Sequence, residues 1–195
     1  MIKIETGSNT ILRYDNILDA ETCQQIYDTV LLLSKVTTPG TQLPWFEGES
    51  WQWWRIANPT LKKKIADYKT LIEQLVSQHF NQQLYCEFTD LVLWKTGQSM
   101  DRHRDDGYKI NDPLQYRVVS SVTYINDNFT GGETFIQTEH GYDYISKPKV
   151  GSFVAYLSTD ENAHGVNKIL SGNRLTMPTW FCKEIEQSDR RYTVI

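Results

Sequence analysis

From residue 84 onward the chain is a succession of short segments that alternate like strands and are cut by turn residues, a pattern that leaves few folds open. Leu84–Lys95 is strand-like and stops at Thr96-Gly97. An extended stretch follows around residue 103, then a polar loop from Asp106 to Pro113. Leu114–Asn126 alternates, with Val119, Ser121, Thr123 and Ile125 on one face. Glu133–Thr138, Tyr142–Ile145, Val150–Leu157, Ala163–Ile169 and Arg174–Cys182 complete the set, with Gly141, Gly151 and Gly172 at or near the turns. The first 83 residues read differently. Ile11–Tyr14 is a short strand, and Asp19 is an N-cap for a helix to about Lys35. Residues 36–50 form a loop and Trp51–Ile56 a strand. Asn58-Pro59-Thr60 starts a second helix, whose apolar face is Leu61, Ile65, Tyr68, Ile72, Leu75 and His79. The fold expected is mostly β with supporting helices (α+β), a double-stranded β-helix or jelly roll backed by N-terminal helices. Residues 1–195 read as one domain, with its jelly-roll core at about 84–182 and helical support at 1–83.

Composition narrows the partners. A net charge of −4 gives no reason to expect nucleic acid or an anionic membrane, and no apolar run is long enough for a membrane helix. Eleven Tyr and six Trp suit a sheet protein with an aromatic-lined cavity. The three cysteines, Cys23, Cys86 and Cys182, are widely spaced and odd in number, which favours a reducing compartment. The opening Met1-Ile2-Lys3-Ile4-Glu5 lacks the apolar core of a signal peptide, so a cytoplasmic location is expected, as monomer or homodimer.

Chemistry concentrates at His103-Arg104-Asp105 and at His164. On an extended strand, residues two apart share a face, so His103 and Asp105 would point into one cavity with Arg102 and Arg104 turned away. With His164 they make two imidazoles and one carboxylate, the facial triad that holds Fe(II) with positions left open. Ten residues after His164, Arg174 lies on the next strand. A buried guanidinium needs an anionic partner, and a small dicarboxylate could chelate the iron with one end and meet this fork with the other. 2-Oxoglutarate has that shape. The other candidates read as structure: His79 as helix packing, His140 as a hairpin tip, the Trp residues of 45–54 as core, Lys62-Lys63-Lys64 as a solvated face and Cys182 as buried and inert.

In order and spacing, residues 84–182 resemble the prolyl 4-hydroxylase branch of the Fe(II)/2-oxoglutarate-dependent dioxygenases. The shared elements are His103-Arg104-Asp105, Arg117 with Tyr124 seven residues on, and Gly131-Gly132-Glu133-Thr134-Phe135. Pro148-Lys149-Val150-Gly151, His164-Gly165-Val166, Gly172-Asn173-Arg174 and Trp180 follow. The resemblance implies His103, Asp105 and His164 as iron ligands and catalytic centre. It implies Arg174, Tyr124 and Trp94 at the 2-oxoglutarate site, and Glu87, Arg117 and Trp180 around a peptide substrate. It also implies dioxygen as the oxidant and ascorbate as a reductant.

The sequence departs from the family at Trp94 and Met100, where tyrosines are common, and has no Arg-Thr-Ser segment upstream. Those differences bear on the substrate. The leading reading is hydroxylation of a prolyl residue in a peptide or protein; the alternatives are a hydroxylase of a free amino acid or other small metabolite, and a non-catalytic jelly-roll binding module. Asp105 argues against halogenation, since related halogenases carry a small residue there, and nucleic-acid demethylation lacks a basic surface.

Overall fold

Asp19 opens the first helix, α1 (Ala20–Val36), by accepting a hydrogen bond from the Thr22 amide at 2.8 Å, while its second oxygen takes the Thr22 hydroxyl. Asn58 starts α2 (Pro59–His79) in the same way, accepting from the amides of Thr60 and Leu61, with Pro59 in the first turn where no amide hydrogen is required. The buried face of α2 is the one its periodicity gives, Leu61, Ile65, Tyr68 and Ile72, joined by Ala66, Lys69 and Val76. Lys69 is fully buried because its ammonium meets Asp189 at 3.2 Å, Thr89 at 2.9 Å and the face of Trp53. The cap at Asp19 gives a modest test. Asp19→Ala should cost about 1 kcal/mol, read as a lowered urea midpoint. The Thr22 amide bond, opposed by slight burial, holds this carboxyl below its usual range. Its stabilisation is therefore complete above the unfolded pKa and fades as pH falls through the lowered folded value.

The structure, a computed structural model, describes residues 1–39, 46–107 and 114–190. Strands are numbered in chain order. One antiparallel sheet runs β1 (Ile2–Ile4), β2 (Ile11–Asp15), β10 (Phe153–Leu157), β6 (Arg117–Tyr124), β13 (Arg174–Cys182), β4 (Tyr85–Trp94) and β3 (Glu49–Gln52). A second runs β5 (Met100–His103), β11 (His164–Val166), β8 (Thr134–Gln137) and β9 (Asp143–Ser146). β7 (Thr130–Gly131) and β12 (Ile169–Ser171) pair as a short ribbon. Two sheets with helices behind the larger one form the expected jelly roll.

Strand alternation divides the larger sheet into two chemically distinct faces. Val119 and Phe181, with Leu91, Leu93, Leu175, Met177, Phe153 and Ala155, join one hydrophobic cluster with Ile26 and Val30 of α1 and the buried stripe of α2. Thr123 takes part there through its hydroxyl, which bonds that of Tyr68. The opposite face carries Ser120, Val122, Tyr124, Tyr156, Trp180 and Arg174, by the same period of two. The helices thus fix one face of the sheet and leave the other for a site.

Three local expectations change. The strand expected at Trp51–Ile56 ends at Gln52, and Trp53–Arg55 makes a 3-10 turn. That turn seats Trp53 where its indole N–H donates to Asp189 at 2.9 Å, tying the residues after β13 to the helices. Trp51 and Trp53 are core as expected, whereas Trp45 lies outside the described residues. Ala163–Ile169 is two strands rather than one, since β11 pairs with β5 and β8 while β12 pairs with β7. β5 stops at His103, so Asp105 is not on the strand at all.

Candidate active site

The sixty residues between His103 and His164 vanish in space, because the two are direct cross-strand partners of β5 and β11. Their rings lie 4.4 Å apart. Each imidazole is oriented by its own backbone: Nδ1 of His103 bonds the Asp101 carbonyl at 2.8 Å, and Nδ1 of His164 bonds the Asn162 carbonyl at 3.1 Å. A carbonyl only accepts, so both Nδ1 atoms carry hydrogen, and Nε2 is on each ring the atom that can offer a lone pair to a metal.

Asp105 reaches the same point by a different device from the strand periodicity expected. The amides of Asp105 and Asp106 both donate to the Ser158 carbonyl, turning the chain back just after β5. Oδ2 of Asp105 then accepts from the Ser120 hydroxyl at 2.6 Å and from the Trp180 indole at 2.8 Å. Oδ1 faces His103 Nε2 at 3.5 Å, and His164 Nε2 stands 3.3 Å from Oδ2. One donor atom from each of the three residues falls within 4.8 Å of the others. Burial by itself would raise the Asp105 pKa, but His164 and His103 outweigh it and keep the carboxyl ionised well below its ordinary range. Burial would likewise lower His103, and the Asp105 carboxylate overcomes it and raises that pKa. Arg102 and Arg104 turn away, as expected, to Asp143 and to Asp160 and the Gly107 carbonyl.

Arg174 is 1 % exposed, yet no carboxylate among the described residues pairs with it. Its Nε donates to the Gly132 carbonyl, Nη1 to Thr176 and Nη2 to Thr134, at 2.9, 3.3 and 3.1 Å. The Tyr124 hydroxyl also acts on this guanidinium, and a carboxylate can accept from both terminal nitrogens in parallel. Burial lowers its pKa, the electrostatic cost of a cation sealed without a counter-ion. The double glycine has its reason here. Gly132 sits at a φ of +67°, and a Cβ on it would stand 3.0 Å from the Arg174 side chain.

The remaining expected residues fall around this axis. Tyr124 lies under the guanidinium at 5.4 Å, its hydroxyl bonded to Thr134 and to the Ser146 carbonyl. Trp94 is the cross-strand partner of Arg174 and packs edge-on to Phe46 beside Val92, Val166 and Ile169. Glu87, Arg117 and Trp180 do come together. Arg117 holds Glu87 in an ion pair at 2.9 Å and stacks 4.5 Å above the Trp180 ring, and Tyr116 donates to Glu87. Trp180 is therefore shared between that pair and the Asp105 carboxylate. Residues not anticipated from sequence are the hydroxyls that orient the charged groups: Ser120, itself bonded to Ser158, and Thr134 and Thr176. The available signal was polarity on a strand face otherwise apolar. Tyr156, whose ring lies 4.4 Å from that of His164, was also passed over.

Two imidazole nitrogens and an ionised carboxylate on one side of the cavity suit Fe(II), and the buried Arg174 guanidinium beyond suits the far end of a dicarboxylate such as 2-oxoglutarate. A model of the 2OG-Fe(II) oxygenase superfamily matches residues 88–182. The chain is 28% identical over 212 residues to prolyl 3-hydroxylase 2 of Rattus norvegicus, covering 90% of this chain and 30% of that one. The human prolyl 3-hydroxylase 2 is likewise 28% identical over 213 residues. The chain thus spans about 30% of the length of these curated relatives. Among solved structures it is similar to a Pseudomonas putida prolyl-4-hydroxylase (TM-score 0.71, 18% identity, 90% of this chain and 93% of that one). A prolyl hydroxylase from Trichoplax adhaerens, solved with a peptide fragment of a hypoxia-inducible-factor oxygen degradation domain, gives a TM-score of 0.72 at 17% identity over 93% of this chain and 87% of that one. The stretch that matches the family model carries His103, Asp105, His164 and Arg174, so the chain is similar to the 2OG-Fe(II) oxygenase superfamily over the residues that build its site.

Proposed function

We propose that this chain hydroxylates a prolyl residue in a peptide or protein, using Fe(II), 2-oxoglutarate and dioxygen. The observation that carries the oxygenase reading is the sealed Arg174, with no carboxylate partner among the described residues, opposite a His–Asp–His donor set. His103, Asp105 and His164 would hold the iron and Arg174 the far carboxylate. With these bound, 2-oxoglutarate is decarboxylated to succinate and one oxygen atom enters a substrate C–H bond. The chain's own contribution is placement. The backbone carbonyls of Asp101 and Asn162 fix the imidazoles, and Ser120 and Trp180 fix the carboxylate.

A prolyl substrate is supported by the aromatic row beside the triad. Trp54, Phe88 and Trp180 follow one another with ring centroids 5.9 and 6.1 Å apart, each ring partly exposed. A pyrrolidine ring packs well on aromatic faces, the contact that proline-rich peptides use elsewhere. Next to that row, Glu87 and Arg117 offer an acceptor and a donor fork for a peptide backbone. The names of the relatives, prolyl 3- and 4-hydroxylases, agree on the residue and differ on the carbon. The sequence likeness favours position 3. The opposing reading, oxidation of a free amino acid, draws on the same pair, with Arg117 on the carboxylate and Glu87 on the ammonium.

Peptides blocked at both ends separate the two, because blocking removes terminal charges and leaves backbone amides. The expected result is a gain of one oxygen atom on a blocked proline peptide. Its hydrolysate, resolved against 3- and 4-hydroxyproline standards, gives the carbon. Arg117→Gln should lower that turnover about ten-fold, the worth of one hydrogen bond from a charged donor, while sparing slow peptide-independent decay of 2-oxoglutarate. Oxidation of free amino acids alone, with blocked peptides neither reacting nor competing, would replace the peptidyl reading with the small-molecule one.

A further inference from the structure

We propose that Tyr156 is a co-substrate-binding residue whose hydroxyl donates a hydrogen bond to the 2-oxo acid end of 2-oxoglutarate. The role rests on the reading of this cavity as a 2-oxoglutarate site and adds a donor that the resemblance did not assign. Tyr156 sits in β10 on the sheet face turned toward the triad, and its cross-strand partner is Ser120, whose hydroxyl holds Asp105. Its ring is 2 % exposed and packs with Ile11, Ile136 and Val154. The same ring lies tilted against the His164 imidazole, with centroids 4.4 Å apart and planes at 54°.

A phenol buried to this degree ordinarily finds a partner for its hydroxyl. Tyr68 bonds Thr123, Tyr116 bonds Glu87 and Tyr124 bonds Ser146 and Thr134. Tyr156 bonds nothing among the described residues. Nor is its oxygen sealed: the buried side-chain polar atoms closed off without a partner belong to His79, Asp90, Asp106 and Thr159. The Tyr156 hydroxyl therefore keeps a hydrogen to give and a face open to the cavity. Asp105 and Arg174 both lie near enough to act on it electrostatically.

Tyr124, to which the resemblance gives the co-substrate contact, has no hydrogen to spare. It owns one, and the Ser146 carbonyl can only accept, so that hydrogen goes to Ser146 at 2.9 Å. The Thr134 amide meanwhile donates to the Tyr124 oxygen at 3.2 Å. Tyr124 braces Arg174 from below, and the free phenol is Tyr156. Its contacts with His164 and Ser120 put it at the triad end of the axis, where the 2-oxo acid carboxylate would lie, rather than at the Arg174 end.

Tyr156→Phe removes one oxygen atom and keeps the ring. In the ligand-free protein the melting temperature should hold or rise, since an unpaired hydroxyl contributes nothing to the fold. With Fe(II) bound and oxygen absent, calorimetry should show the Kd for 2-oxoglutarate rising about ten-fold or more, the range for a hydrogen bond to a charged group. Oxalate keeps the chelating end and lacks the far carboxylate, so its Kd should rise by the same factor in Tyr156→Phe and stay unchanged in Arg174→Ala. A wild-type Kd for 2-oxoglutarate in Tyr156→Phe overturns the proposal, as does a weakened 2-oxoglutarate with unaffected oxalate. A melting temperature lowered by several degrees in the ligand-free variant overturns it too, because the hydroxyl would then have a structural partner. If the metal-loaded wild type takes up no 2-oxoglutarate and Arg174→Ala changes nothing, the reading of the site itself has failed.

Discussion

His103→Ala protein should fold as the wild type does and lose Fe(II)-dependent conversion of 2-oxoglutarate to succinate by more than about 100-fold. The bound follows from a comparison: removing a group that only orients a metal ligand already costs about 10- to 100-fold, and His103 would be a ligand itself. His103 is the best of the three to change. Apart from the triad its bond is to the Asp101 carbonyl, which borders solvent, so the fold loses little. Asp105→Ala is less clean, because it strips the acceptor from both Ser120 and Trp180; Ser120 keeps its bond to Ser158, while the half-buried Trp180 indole is left without a partner. Its loss of activity should come with about 1–3 kcal/mol of lost stability, measured by urea unfolding. Metal affinity by calorimetry and far-ultraviolet circular dichroism decide the matter for His103→Ala. Full turnover in a folded, metal-free-at-this-site variant would remove the triad from the mechanism.

The cluster of His103, Asp105 and His164 was legible in the sequence because metal chemistry admits few side chains, and a strand pattern limits where they can meet. The route to the geometry was not. Strand periodicity placed His103 and Asp105 on one face, whereas β5 ends at His103 and Asp105 is carried there by a turn tied to the Ser158 carbonyl. The same contrast runs through the fold. Both helix starts could be read from Asp19 and Asn58, since capping is settled within three residues. The 3-10 turn at Trp53 could not, because its cause is Asp189, one hundred and thirty-six residues away in the chain. Hydroxyl residues such as Ser120, Thr134 and Thr176 serve many purposes, so their type says little until Asp105 and Arg174 are placed beside them. A tyrosine within an apolar strand reads as core for the same reason, and Tyr156 acquires another meaning only once His164 lies against it.

Arg174 carries the second large effect, and two measurements on it should move in opposite directions. Arg174→Met removes a sealed cation that has no counter-ion among the described residues and replaces it with an apolar chain of similar reach. Ligand-free, that variant should be no less stable than the wild type, because an uncompensated buried charge is a cost to the fold that offsets the three hydrogen bonds to Gly132, Thr134 and Thr176. Binding should fail. The far carboxylate of 2-oxoglutarate would be desolvated with no partner, at about 2–5 kcal/mol, which is roughly thirty-fold to several thousand-fold in Kd. Arg174→Lys should recover part of the affinity, since an ammonium restores the charge. It should not recover all of it, because a point charge on a flexible stem cannot hold Gly132, Thr134 and a carboxylate in the plane that a guanidinium keeps. Calorimetry under Fe(II) without oxygen, beside thermal melts of the same proteins, reads both quantities. The combination expected for Arg174→Met is retained melting temperature with lost 2-oxoglutarate binding. Lost melting temperature with retained binding would make Arg174 a structural cation and leave the co-substrate's far end to be sought elsewhere in the cavity.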